Sequence, residues 1–284
     1  MFGFLNIYKA KGLTSHDVVA RLRRITKIKQ IGHTGTLDPF AEGVLPICIG
    51  KATRLIEYLE DDKAYEGFIK LGNSTTTYDL EGEVSNSSSK RVSREDIEKA
   101  LAQFRGNITQ KPPIYSAIKI NGKKLYEYAR KGEEIEVPTR EVTIYKLDLL
   151  DFDEEKQEAR VLIECSKGTY IRSIANDLGE ALGTYGHLIK LIRVKAGKFL
   201  IDNTVELEGL ELATVQNKIL SPLEMLSYKN LEISENELKL VKNGMKLRAE
   251  NFDEGELVIL TFNQEIVSIA EFSNKELIQK KVFA

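Results

Sequence analysis

The chain has 284 residues, of which 42% are hydrophobic and 30% charged, with a formal net charge of −2. That length serves one large domain, or one large and one small, with a sizeable core, and no apolar stretch is long enough for a bilayer-crossing helix. MFGFLNIYKAKG at the start lacks the pattern of a secretory leader, and Cys48 and Cys165 sit in apolar runs (PICIG, LIECS) with only three scattered histidines in the chain, so a metal site is excluded and both are expected to be buried reduced thiols of a cytoplasmic protein.

FLNIYKA reads as a strand. Thr14-x-x-Asp17 has the capping-box pattern, and Val18, Leu22 and Ile25 follow at helical spacing, which predicts a helix over 15–27 with Arg21, Arg24 and Lys27 on its exposed side. VLPICIG is short and apolar enough for a buried strand, although Pro46 argues against a central ladder position or marks a bulge. Residues 52–60 look helical, AYEGFIKLG is a strand, and 74–82 form a polar loop containing Tyr78-Asp79. SNSSSK reads as a flexible surface insertion, and Ser93-x-x-Asp96 caps a second helix with Ile97, Leu101 and Phe104 on one face.

Beyond Pro112-Pro113, the segments IYSAIKI and KKLYEYA flank Asn121-Gly122, a strong hairpin signal, and the second arm soon acquires helical spacing. EVTIYKLDLLDF and ARVLIECS are strands, 168–183 is helical, and NKILSPLEML closes this part. From about Tyr228, short runs (LVIL, IVSIA) alternate with turns at Asn243-Gly244 and Asp253-Glu254-Gly255, which reads as a small all-β unit. Strands and helices mix irregularly in the first part, favouring an α+β fold over repeating βαβ units.

The small net charge hides three basic stretches. Residues 1–54 carry nine Lys/Arg against three acids, residues 111–131 carry six against Glu127, and residues 187–198 carry Lys190, Arg193, Lys195 and Lys198 with none. If these meet in space they form a phosphate-binding face on an otherwise acidic body; the alternative is separate solvated surfaces.

The stretch GHTGTLDPFAEGVLPICIGKATRL, residues 32–55, raises the question of chemistry. A phosphate loop fails on residues, because Gly50-Lys51 is followed by Ala52 and the first glycine position is Leu45. Zinc-deaminase ligands and a G-x-S-x-G nucleophile are also missing. What remains is Asp38. An Asp before Pro in such a loop is ordinarily a turn residue; the other reading is a carboxylate presented by a loop whose glycines permit close backbone approach.

The same stretch resembles the signature of the tRNA pseudouridine synthase B (TruB) family. The likeness continues in order through SHDVVARLRR, KAYEGFIKLG, TTTYDLEG, KPPIYSAIKINGKKLYEYARKG, CSKGTYIRSIANDLGEALG and HLIKLIRV, over about residues 4–226. The resemblance implies a pseudouridine synthase fold with a central mixed, mainly antiparallel sheet flanked by helices. It places a catalytic domain at 1–227 and a small PUA-like RNA-binding domain at 228–284. It further implies isomerisation of uridine 55 in the T-arm loop of tRNA, in the cytoplasm, by a monomer without metal, cofactor or nucleotide. Alternatives kept open are a non-catalytic tRNA-binding or tRNA-folding module, and the same isomerisation on other structured RNAs.

By the same resemblance, Asp38 is the essential carboxylate, acting as nucleophile or in forming a glycal-type intermediate. Arg172 pairs with it, Tyr65 stacks on the target base, Tyr170 and Leu191 flank it, and His33 fills the space that the flipped uridine leaves. Asp79 and Arg54 are polar positions near the cleft. The sequence departs from the family pattern at Lys9-Ala10-Lys11-Gly12, where a K-P-x-G turn is usual, and at Thr184-Tyr185-Gly186 before His187.

Overall fold

The computed structural model describes residues 1–133 and 135–284. Strand β1 (Gly3–Lys9) leads into helix α1 (Ser15–Thr26), whose Thr14/Asp17 capping box is formed as the sequence predicts. Strands β2 (Ile31–His33) and β3 (Glu42–Ile49) follow, then a 3-10 helix at Gly50–Tyr58, in the segment that reads as helical over 52–60. Strand β4 (Lys63–Leu71) precedes a hairpin of β5 (Asn73–Thr75) and β6 (Val84–Ser87), so the segment read as a flexible insertion is partly a paired strand. Helix α2 (Arg94–Leu101), capped by the Ser93/Asp96 box, leads to β7 (Gly106–Gln110).

The hairpin β8 (Lys119–Ile120) and β9 (Lys123–Lys124) turns at Asn121-Gly122, both with positive φ, and runs into α3 (Leu125–Lys131). Then come β10 (Arg140–Asp153), β11 (Glu158–Cys165), α4 (Ile171–Leu182), β12 (Gly186–Ala196), β13 (Phe199–Leu200), β14 (Val205–Glu206), α5 (Leu212–Lys218) and α6 (Pro222–Met225). These strands, apart from the two small hairpins, build one sheet in the order β14-β1-β3-β12-β4-β11-β10-β7, with β2 on β3 and β13 on β12. Among the described residues only β1–β14 and β3–β12 of this sheet pair in parallel, so it is mixed and mainly antiparallel.

Pro46 corrects an expectation. Its strand is flanked on both sides, by β1 along its whole length and by β2 and β12 at opposite ends. The missing N–H is tolerated because Pro46 lies between the stretches paired with β2 and β12 and uses only its carbonyl there, accepting from Thr34 N at 3.1 Å. That gap in the ladder is where the Thr34–Ala41 loop rises from the sheet.

Two apolar clusters flank this loop. In one, α2 and α4 pack Ile97, Leu101, Ile174 and Leu178 against Ile69, Val161 and Ile163 of the sheet. In the other, α1 and α5 pack Val18, Leu22 and Val215 against Leu5, Ile7 and Leu45. Leu37 and Phe40 belong to the first cluster and are 3% exposed each, so the residues on either side of Asp38-Pro39 are anchored in the core.

The C-terminal unit comprises β15 (Lys229–Glu232), α7 (Glu235–Lys242), β16 (Leu247–Arg248), β17 (Leu257–Phe262), β18 (Glu265–Ser273) and β19 (Glu276–Val282), with the sheet order β15-β17-β18-β19-β16. It is β-rich but not all-β, because Ser234 and Glu237 form a third capping box that starts α7. Its Ile259, Ile266, Ile269 and Phe283 share a core with Phe4, Val44, Cys48 and Leu55 of the larger sheet.

Candidate active site

Asp38, Tyr65, Tyr170, Arg172 and Leu191 all line one cavity of about 230 Å³, together with Thr34–Leu37, Lys63, Ser116, Ala117, Ser166–Thr169 and Ile171. They come from four places: the loop after β2, β4, the start of α4, and β12. Tyr65 lies in register with Arg193, and Gly67 with Leu191, so neighbouring positions of β4 and β12 supply one wall.

Arg172 is in the first turn of α4, where the helix dipole disfavours a cation. It is held by two carboxylates. Its Nη2 is 3.0 Å from Asp38 Oδ2 and its Nη1 is 3.3 Å from Asp79 Oδ2. Nη1 also donates to Thr77 O at 3.2 Å and Nη2 to Tyr115 O at 3.1 Å. The side chains of Arg172 and Asp79 are 6% and 4% exposed, whereas that of Asp38 is 36% exposed. Asp38 is therefore the end of the chain of charges that faces the opening.

Asp79 is not at the cavity surface. Its Oδ1 accepts from Thr77 Oγ1 at 2.5 Å and from Glu81 N at 3.0 Å, which fixes it behind Arg172. In the structure Asp79 is thus a buried counter-ion of Arg172 beside the cleft and not a residue of its wall. Arg54 is elsewhere: its Nη1 donates to Val282 O at 2.8 Å and its guanidinium lies 5.2 Å from the Phe283 ring centroid. Its neighbour Lys51 donates to Phe283 O. Both cations fasten the C-terminal unit, because the 3-10 helix turns them toward β19 and away from the cleft.

His33 ends β2 opposite Ile47 and is not among the cavity-lining residues, although the adjacent Thr34 is. Burial, reinforced by Arg193 and His16, lowers its pKa, and its Nδ1 has no hydrogen-bond partner among the described residues. Tyr170 caps α4 and is locked by Gln110, which accepts from Tyr170 N at 2.8 Å and donates to Tyr170 O at 3.0 Å. Arg140 sits 5.4 Å from the Tyr170 ring centroid. Tyr65 is buried, and burial raises its pKa, with Arg193 opposing. Its phenol is neutral at ordinary pH and able to hold or pass a proton.

Sequence reasoning missed the residues that shape the Asp38 loop. Ser15 Oγ accepts from Leu37 N at 2.9 Å and donates to Leu37 O at 3.2 Å. Lys9, 0% exposed, directs its ammonium at Leu13 O (2.7 Å), Ala10 O (3.2 Å) and Pro39 O (3.4 Å). Burial lowers its pKa to about 8, against an opposing pull from Asp38. In the sequence Lys9 stood out as a member of a basic stretch, which pointed to solvent, and as the first residue of the Lys9-Ala10-Lys11-Gly12 turn, which did not say that its ammonium is buried.

An α+β fold with a mixed, mainly antiparallel sheet and a loop carboxylate gripped by a buried arginine at the cavity is the architecture of a pseudouridine synthase. Among solved structures, a chain of a Cbf5-Nop10-Gar1 complex superimposes with a TM-score of 0.73 at 25% identity, over 100% of this chain and 85% of that one. An H/ACA RNP bound to a substrate RNA containing 2'-deoxyuridine gives the same TM-score at 23% identity and shares the fold.

The chain belongs to the TruB family: the TruB family pseudouridylate synthase N-terminal domain matches residues 23–171, and the tRNA pseudouridylate synthase B C-terminal domain matches 172–226. It is 44% identical to tRNA pseudouridine synthase B of Bacillus cereus over 88% of this chain and 85% of the relative. The same enzyme of Geobacillus thermodenitrificans is 44% identical over 95% and 94%, and that of Staphylococcus aureus 41% over 99% of each.

Proposed function

We propose that the protein is a tRNA pseudouridine synthase that isomerises uridine 55 in the T-arm loop, with Asp38 as the catalytic carboxylate. The observation that carries this reading is the placement of Asp38 at the mouth of the cavity, paired with buried Arg172 and faced by Tyr65, Tyr170 and Leu191. The uridine must leave its stack to enter, at a cost of a few kcal/mol. The C1′–N1 bond then breaks, the uracil turns between the apolar wall of Leu191 and the tyrosine rings, and C1′ bonds to C5. The C5 proton is lost and N1 ends protonated, so atoms and charge balance without a cofactor. Asp38 acts either as nucleophile at C1′ or in forming a glycal-type intermediate; both need the carboxylate held toward C1′, and the ion pair with Arg172 at 3.0 Å supplies that hold.

The protein works in the cytoplasm as a monomer on this reading. Residues 1–227 form the catalytic domain, and 228–284 form a PUA-like unit that extends the tRNA contact. The test is tritium release from tRNA transcript carrying 5-³H-uridine, with pseudouridine mapped afterwards. Asp38→Asn abolishes release while keeping tRNA affinity. Turnover by that variant at the wild-type rate, or product outside the T loop, refutes the assignment.

A further inference from the structure

Arg193 lies outside the cavity lining, yet it grips the loop that carries Asp38. It is 1% exposed, and no carboxylate pairs with it among the described residues. Its nitrogens donate to three carbonyls instead: Nε to Val44 O at 2.7 Å, Nη1 to Thr36 O at 3.4 Å and Nη2 to Gly35 O at 3.2 Å. A guanidinium stays charged in such surroundings, and a buried charge without a carboxylate is costly where an apolar side chain of similar volume would pack more stably. Space-filling therefore does not explain an arginine here.

The geometry does. The planar fork fixes acceptors on both sides of Asp38, at Gly35 and Thr36 before it and at Val44 after it. Its seat is built into the sheet: Arg193 pairs with Gly43, which has φ +106°, and a Cβ on Gly43 would lie 2.4 Å from Arg193 O. Tyr65 is the residue opposite Arg193 on β4. With Ser15 on Leu37 O, Ala41 N on Asp38 O at 3.1 Å, and Lys9 and Gly12 N on Pro39 O, every carbonyl from Gly35 to Pro39 has a donor. The direction of the Asp38 carboxylate is set through this backbone.

Resting on the assignment of Asp38 as the catalytic carboxylate, we propose that Arg193 is a positioning residue for the isomerisation, holding the Asp38 loop and the Tyr65 ring in reacting geometry without touching substrate. Single-turnover tritium release and tRNA affinity are measured for Arg193→Met and Arg193→Lys, alongside hydrogen exchange of residues 34–41 in the tRNA-free protein. Arg193→Met slows the chemical step by about 100-fold while tRNA affinity stays within about threefold, since a misplacement of ~1 Å is enough for such a loss. Arg193→Lys keeps the charge but donates from a point, so it loses at least about tenfold, and added guanidinium partly restores Arg193→Ala.

Exchange in the loop rises in both variants. If Arg193→Met does not fold, Arg193→Lys decides. The proposal is overturned if the folded variants react within about threefold of wild type, if rate falls only in step with tRNA affinity, or if loop exchange is unchanged. An inactive wild type instead refutes the function reading, and the exchange measurement still reports on the Arg193 clamp.

Discussion

Replacing Asp79 by Asn separates the two carboxylates that share Arg172. The substitution keeps the shape and removes one charge 3.3 Å from Nη1. At that distance and an effective dielectric near 20, the pair attraction is roughly 5 kcal/mol. Both groups are nearly fully buried, so breaking the pair leaves a desolvated cation whose remaining partner, Asp38, is 36% exposed and screened by solvent. Removing one partner of such a buried pair costs about 3 kcal/mol, and Tm should fall by roughly 6 °C for a chain of this size.

The catalytic effect follows from the same geometry, because Arg172 aims Asp38. The chemical step of Asp79→Asn slows by about 100-fold, with tRNA affinity little changed. Asp38→Asn serves as the contrast, removing activity while costing less than about 1 kcal/mol in stability because its side is solvated. Thermal denaturation and single-turnover tritium release read both variants. Full stability and activity in Asp79→Asn, or a larger stability loss in Asp38→Asn, refutes the idea that the buried aspartate holds the arginine.

Lys9 makes stability depend on alkaline pH. Its folded pKa is about 8 against 10.5 for the free side chain, so below pH 8 both states are protonated and the burial cost is present in full. Between pH 8 and 10 the folded state loses the proton first and stability rises by about 2–3 kcal/mol, until Tyr65 and Tyr8, whose pKa values are raised by burial, reverse the trend. The difference between wild-type and Lys9→Met denaturation curves across that window isolates the effect, and a flat difference contradicts it. Cys48 and Cys165, pushed up to about 12 and about 11 by burial, react with thiol reagents only after unfolding, a prediction read by thiol titration with and without denaturant. Arg21 and Arg24 on α1 are exposed and form no ion pair among the described residues, so replacing both by Ala lowers the slope of log tRNA affinity against log salt by about 1–2, whereas Lys190→Ala, whose ammonium is already engaged by Glu42 and the Phe68 ring, leaves it unchanged.

Local rules made most elements legible. The capping boxes at Thr14 and Ser93, the Asn121-Gly122 turn and the apolar alternation of β4 and β11 act within a few residues and were readable as such. Helix α7 was misread because tertiary docking decides it, packing Val241 into the C-terminal core, while the helical segment read at 52–60 is a 3-10 helix at Gly50–Tyr58 that presents Lys51 and Arg54 to β19. Within the site, Asp38, Tyr65, Tyr170, Arg172 and Leu191 were named from a resemblance, and the structure gathers all five at one cavity. Asp79 and Arg54 shared that source; Asp79 stands behind Arg172 and not on the cavity wall, and Arg54 lies against the C-terminal unit, since a motif records that a polar residue matters without saying what it faces.

The basic stretches show most directly why charge counted along a chain is a poor guide to where charge lies. All four cations of 187–198 are engaged within the protein: Lys190 with Glu42, Lys195 with Asp62, Lys198 with the Glu224 and Leu226 carbonyls, and Arg193 with the loop. In the first stretch Lys9, Arg23, Lys51 and Arg54 are likewise bound to carbonyls. What remains for phosphates is a smaller set, the exposed α1 face and the Lys119–Lys131 hairpin region, where Lys123, Lys124 and Arg130 lie over Tyr128 and Tyr126. A cation that binds RNA must stay hydrated until it meets a phosphate, whereas one that shapes a loop must be stripped of water and given carbonyls. Arg193 and Lys9 are of the second kind, and that places them with the Asp38 loop rather than with the exposed cations.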